Sequence, residues 1–184
     1  AISRSGGIAG IISLNIFFLI YFSLYSKVLY EYILISNLMF LIGFLDDVKI
    51  KIIPSRRLLL MIIFLFSLIL FLPVKIFNID IPFLIPLLQN NIFSSIFVLL
   101  CFLFIINGAN LIDGFNGLLT INLIIINMVL VYINITSGNK EFSIFIIAQV
   151  IILISFLLFN FPSAKIFLGD SGSYLLGSLI SLNT

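Results

Sequence analysis

The chain has 184 residues, 62% of them hydrophobic and 9% charged, with a formal net charge of +2 and no histidine. A soluble domain carries about 25% charged residues; with a mean hydropathy of +1.37, this composition is that of an integral membrane protein. The small net charge gives no argument for nucleic acid, and without histidine any acid–base or metal chemistry in these residues rests on carboxylates, which suit hard cations.

The apolar runs lack the alternation of barrel strands and are too long for them, which predicts helical spans. Gly7 to Tyr25 is the first, followed by a break at Ser26-Lys27. Val28 to Leu45 is the second and runs straight into Asp46-Asp47. A basic loop follows, with Lys49, Lys51, Pro54, Ser55, Arg56 and Arg57, and then a third span from Leu58 to Leu72. Pro73, Pro82 and Pro86 argue against a full helix over 74–91. The alternation over 74–82 predicts an interfacial excursion with a small hairpin there. Ile92 to Ile106, Leu118 to Ile135 and Phe142 to Phe159 are the next spans, and Tyr174 opens a seventh. The expectation is an all-α polytopic membrane protein with about six complete transmembrane helices and a truncated seventh. Residues 1–184 would form a single transmembrane catalytic domain, a piece of a longer chain. The lone Cys101 allows no internal disulfide and reads as a small apolar filler.

Three polar islands interrupt this pattern. The central one, Asn107 to Gly117, gathers three side-chain amides, one carboxylate and three glycines in eleven residues. Asn107, Asn110 and Asp113 fall at i, i+3 and i+6, one face of a helical turn, suited to a metal–phosphate group or a nucleoside. The plainer reading is a glycine-rich turn whose Asn caps the next helix. Asp46-Asp47 is an adjacent carboxylate pair that a cation or shared proton would stabilise; its plainer reading is a solvated loop. Gly169-Asp170-Ser171-Gly172-Ser173 places a carboxylate among small residues at a helix start, either a phosphate and cation site or a simple cap. A serine-hydrolase reading fails for want of a histidine to activate Ser171.

An even number of crossings separates the islands, so all three belong on one membrane face. Arg4, Lys49, Lys51, Arg56, Arg57 and Lys165 would share that face, against Lys27, Lys75 and Lys140 opposite, which favours a cytoplasmic island face. Four of the seven acids lie in the islands. Clustered carboxylates with Lys and Arg beside them suit cation-assisted phosphoryl transfer. A cation-coupled transporter is the alternative from another class, and it would need its acids at mid-depth.

The chain resembles the polyprenyl-phosphate N-acetylhexosamine-1-phosphate transferases of glycosyltransferase family 4, in the superfamily of phospho-N-acetylmuramoyl-pentapeptide transferase. The resemblance rests on Ser3-Arg4-Ser5-Gly6-Gly7, Gly43 to Asp47, Asn107 to Leu118, and Pro162 to Ser173, in that order and spacing. It implies an enzyme of the bacterial inner membrane, active on the cytoplasmic face. It implies transfer of a HexNAc-1-phosphate from a UDP-sugar to undecaprenyl phosphate, with UMP released, to start a cell-envelope glycan such as lipopolysaccharide O-antigen. By motif position, Asp46, Asp47 and Asp113 would be catalytic, and Asp170 with Asp113 would hold Mg²⁺, or Mn²⁺ in its place. Asn107, Asn110 and Asn116 would bind substrate, and the electrostatic reading adds Lys49, Arg57 and Lys165 as phosphate partners. Many relatives have Asp where Asn116 stands, and the pentapeptide branch has Lys where Ile50 stands. The alternative within the superfamily is the pentapeptide transferase of peptidoglycan synthesis; Arg57 and the Asn-Phe-Pro-Ser-Ala-Lys wording favour the O-antigen or teichoic branch. Partners are undecaprenyl phosphate, a UDP-HexNAc and membrane lipid, with a homodimer left open.

Overall fold

The computed structural model describes residues 3–50, 53–71 and 81–184. The hairpin expected over 74–82 falls almost wholly outside these residues, as do Lys51 and Lys75. The described residues form eight helices: α1 (Gly6–Tyr25), α2 (Tyr30–Asp47), α3 (Pro54–Phe71), α4 (Ile85–Leu88), α5 (Asn91–Ile112), α6 (Leu118–Thr136), α7 (Lys140–Asn160) and α8 (Gly169–Asn183). The fold is an all-α polytopic membrane protein. Five helices (α1, α3, α5, α6 and α7) are long and apolar enough to cross a membrane. The sixth long helix, α2, has 18 residues and carries Glu31, Asp46 and Asp47.

The helices overrun the apolar spans, and this is what builds the site. Asp46 and Asp47 form the last turn of α2 instead of a loop. The α5 helix, with 22 residues, is about 33 Å long at 1.5 Å per residue, enough to cross an apolar core about 30 Å thick and to bring Asn107 and Asn110 toward its far edge. Its start is capped by Asn90, whose side chain accepts from Ile92 N (2.9 Å) and Phe93 N (3.3 Å). Arg56 and Arg57, expected in a loop, lie in the first turn of α3.

The centre of the bundle is α8. Nearly every residue from Ser171 to Asn183 is buried, and α1, α2, α5 and α6 all pack on it. Its Ser- and Gly-rich sequence permits this, because small side chains let backbones approach where no water drives helices together. At the closest crossing a Cβ on Gly43 would overlap the Asp170 backbone. One apolar cluster joins α1, α2, α6, α7 and α8 around Phe145, Leu14 and Leu175, and a second joins α2, α3 and α5 around Met39, Met61 and Ile106. The only pairing of strand type among the described residues is a bridge between Ser3 and Ile166. It continues into bonds from Gly6 N to Phe167 O (3.0 Å) and Gly7 N to Leu168 O (2.9 Å), which pin the start of α1 to the start of α8.

Candidate active site

Three helix ends and the turns beside them converge on the first turn of α8. Arg57 uses one nitrogen, Nη1, to donate to Asp46 Oδ2 at 3.1 Å and to Asp170 Oδ2 at 2.8 Å. The guanidinium also lies over the Tyr174 ring, 5.3 Å from its centroid. The last turn of α2, the first turn of α3 and the first turn of α8 are thereby joined through charge.

Adjacent acids divide the work. The Asp47 side chain is 6% exposed and spans the start of α8, where Oδ1 accepts from Asp170 N (3.1 Å) and Oδ2 from Ser171 N (2.9 Å). A helix start leaves backbone N–H groups without partners and carries partial positive charge; here the cap arrives from another helix. Neither Asp170 nor Ser171 performs the capping that the plainer sequence reading gave them. Gly169 makes the approach possible: its φ is +77°, and a Cβ there would stand 2.5 Å from the Asp47 carboxylate. Arg4, exposed, lies 3.7 Å from Asp47 Oδ1.

The third wall comes from α5. Asn110 Oδ1 accepts from Ser173 Oγ (2.7 Å), and its amide nitrogen donates to Tyr174 Oη (3.3 Å). Asp113 follows in the turn after α5. Burial, and then the charges of Asp170 and Asp47, push its carboxyl up to about 7, as expected for acids crowded in partly desolvated surroundings. Asn107 donates to its own helix at Leu103 O (2.8 Å), and Asn116 donates to Pro162 O (3.2 Å). Asn160 closes the turn: its Oδ1 accepts from Gly117 N (2.6 Å) and its Nδ2 donates to Ile166 O (2.9 Å). Lys49 and Lys165 stand exposed and make no ion pair among the described residues.

A model of glycosyl transferase family 4 matches residues 29–184. The chain belongs to that family. Relatives include the phospho-N-acetylmuramoyl-pentapeptide-transferases of Leuconostoc mesenteroides, 38% identical over 109 residues (54% of this chain, 34% of the relative), and Clostridium beijerinckii, 32% identical over 153 residues (76% and 46%). That of Clostridium perfringens is 34% identical over 105 residues (57% and 33%). The chain thus spans between a third and a half of the length of these relatives.

Within this family 4 chain the predicted acids Asp46, Asp47, Asp113 and Asp170 come to one face, with Arg57 and Asn110 among them. Among the described residues, no three His, Cys, Asp or Glu side chains lie close enough to hold a metal alone. The donors are all oxygen, which fits a cation of the Mg²⁺ type. Such an ion uses one or two carboxylates and fills its remaining positions with phosphate and water. Asp113 and Asp170, close enough that the charge of one raises the carboxyl of the other, could supply such carboxylates.

Sequence reasoning missed Ser173, Tyr174 and Asn160. The first two stand at i+3 and i+4 from Asp170, one face of a helix, and were legible only if α8 starts at Gly169 and not at Tyr174. It also missed the amides of the apolar zone, half-buried between α1 and α2 and buried between α6, α7 and α8. Asn15 in α1 and Asn37 in α2 exchange bonds of 3.1 and 3.2 Å. Asn183 in α8 donates to Asn127 of α6 (3.0 Å) and Gln149 of α7 (2.8 Å). The charged groups lie at helix ends, with Asp46, Asp47, Asp113 and Asp170 at one face and the Lys27–Glu141 pair at the other, and the buried polar groups within the spans are neutral.

Proposed function

We propose that this chain is the catalytic membrane portion of a bacterial polyprenyl-phosphate sugar-1-phosphate transferase. A phosphate oxygen of undecaprenyl phosphate attacks the sugar-bearing phosphorus of a UDP-HexNAc. A new P–O–P bond forms, the bond to UMP breaks, and the product is a lipid-linked diphosphosugar that starts a cell-envelope glycan. The reading is carried by one observation: in a family 4 membrane chain, Arg57 holds Asp46 and Asp170 together at one face beside Asp113.

Each residue has work to do there. Exposed Lys49 and Lys165 attract the phosphates of both substrates. Arg57 supplies a permanent positive charge, and Asn110, oriented by Ser173 and Tyr174, contacts the donor. Asn107 and Asn116 flank the nucleotide. Asp46, with one oxygen on Arg57, has its second oxygen to take the proton of the lipid phosphate. Asp47 holds the end of α2 to the start of α8 and so fixes where Asp46 and Asp170 stand. Asp113 and Asp170 would hold Mg²⁺, which neutralises the charge developing on the transferring phosphate. The excess of Lys and Arg on this face orients it to the cytoplasm.

A second reading, phospho-N-acetylmuramoyl-pentapeptide transfer, is favoured by the activity named for the relatives. One assay separates the two. UMP release by the full-length protein in detergent, with undecaprenyl phosphate and Mg²⁺, is followed across a panel of UDP-HexNAc donors and UDP-MurNAc-pentapeptide. Lipid-dependent release from a UDP-HexNAc is the expected result; release from the pentapeptide donor alone would move the chain to the second reading.

A further inference from the structure

Arg57 has a more particular geometry than a phosphate contact requires. A full-strength Arg–carboxylate pair is a fork, with two parallel N–H···O bonds closing on one acid. Here a single nitrogen is divided between two acids, at 3.1 Å from Asp46 and 2.8 Å from Asp170. The two acids come from different helices. The Tyr174 ring lies beneath the guanidinium at 5.3 Å, and face contact of this kind fixes the plane of the cation. The Arg57 side chain is 18% exposed, so the pairing is partly shielded from water.

This is the arrangement of a charge placed between two carboxylates that would otherwise repel. It has a thermodynamic consequence. Any other cation that draws on Asp170 must share it with Arg57. Four carboxylates (Asp46, Asp47, Asp113 and Asp170) gather at the first turn of α8 with one partly shielded guanidinium, Arg57, while Arg4 and Arg56 on the same face are exposed. Within this shielded cluster the carboxylates outnumber the one guanidinium they pair with, and Arg57 is the group that a divalent cation drawing on Asp170 must compete with.

We propose that Arg57 is the built-in counter-ion of the Asp46–Asp170 pair, that it competes with a divalent cation for Asp170, and that the guanidinium swings to the donor phosphates when the cation binds. Arg57 is then a positioning residue that sets the cation affinity of the site. The inference rests on the transferase reading, but its test reads cation binding and not turnover.

The full-length protein in detergent is titrated with Mn²⁺ alone, and free Mn²⁺ is followed by electron paramagnetic resonance. Thermal stability is recorded in parallel without the ion. Arg57→Gln is expected to bind Mn²⁺ about tenfold more tightly than wild type, because a neighbouring positive charge has been removed. Arg57→Lys, which keeps the charge, should stay within about twofold of wild type. Asp170→Asn should lose the site. Equal affinity in Arg57→Gln and wild type, with only a lower melting temperature, would make Arg57 a plain structural bridge and overturn the proposal. A second measurement needs no variant: labelling of Arg57 by a dicarbonyl reagent, read by mass spectrometry, should rise about threefold when wild type is saturated with Mg²⁺, as expected for a paired group set free. Unchanged labelling would overturn the proposal equally. If wild type has no Mn²⁺ site that Asp170→Asn removes, the inference and the metal part of the transferase reading fail together, while UMP release still judges the transferase reading itself.

Discussion

Two regions of α8, its first turn and the stretch around Asn183, satisfy their polar groups with different chemistry. At its start, Asp170 pairs with Arg57, and Asp47 accepts two backbone N–H groups. Deeper in the bundle, Asn183 is held by Asn127 and Gln149, with no charge at all. Depth in the membrane explains the difference. An ionised group costs several kcal/mol in the apolar zone but little at its edge, so the deep end uses amides that satisfy one another. The comparison separates charge from neutral polarity: the first turn of α8 gathers carboxylates and a guanidinium, and the amides around Asn183 join α8 to α6 and α7.

The comparison predicts a graded series. Asp170→Asn in the full-length protein should lower UMP release by about 10²-fold or more, the scale of losing a charged group at a developing phosphate charge. Asp47→Ala should destabilise by about 2–3 kcal/mol, since two backbone donors lose their carboxylate. Asp47→Asn keeps one acceptor oxygen and should recover part of that, measured by unfolding in detergent. At the amide end Asn183→Leu should cost only about 1 kcal/mol, because polar contacts between membrane helices are individually weak. A loss there as large as that of Asp47→Ala would break the comparison.

A pH dependence tests the crowding of the acids. Asp113 is raised from its ordinary 3.8 to about 7 by burial, Asp170 and Asp47. A raised acid is penalised when ionised, so the stability of wild type falls as pH climbs from about 4 to about 7. Asp113→Asn escapes that penalty. Without divalent cations, the melting temperature of the variant should draw ahead of wild type over that range and level off above about pH 7. A constant gap from pH 4 to pH 8 would contradict the shift.

Most of the bundle was legible because hydropathy marks where a chain can cross a membrane. The boundaries were less so. The sequence pattern opens the apolar part of the seventh span at Tyr174 and reads Gly169 to Ser173 as the polar approach to that helix; these residues are themselves helical because Asp47 caps them and small residues let α1 and α2 close around them. Arg57 was seen as a cation beside the acids, but its place between Asp46 and Asp170 depends on α3 starting at Pro54. The division of labour between Asp46 and Asp47 could not be read at all: two identical neighbours differ only in which one faces the start of α8. Asn127, Gln149 and Asn183 are single polar residues in apolar runs and form a set only once three helices are side by side.

The most direct test compares the two ends in one assay. Lipid-dependent UMP release by the full-length protein is measured for wild type, Asp170→Asn and Asn183→Leu, each normalised to folded protein. The account predicts that Asp170→Asn is all but inactive while Asn183→Leu turns over within a few-fold of wild type, as expected of a residue that only holds register. Full activity in Asp170→Asn would contradict the placing of the reaction at the charged end of α8.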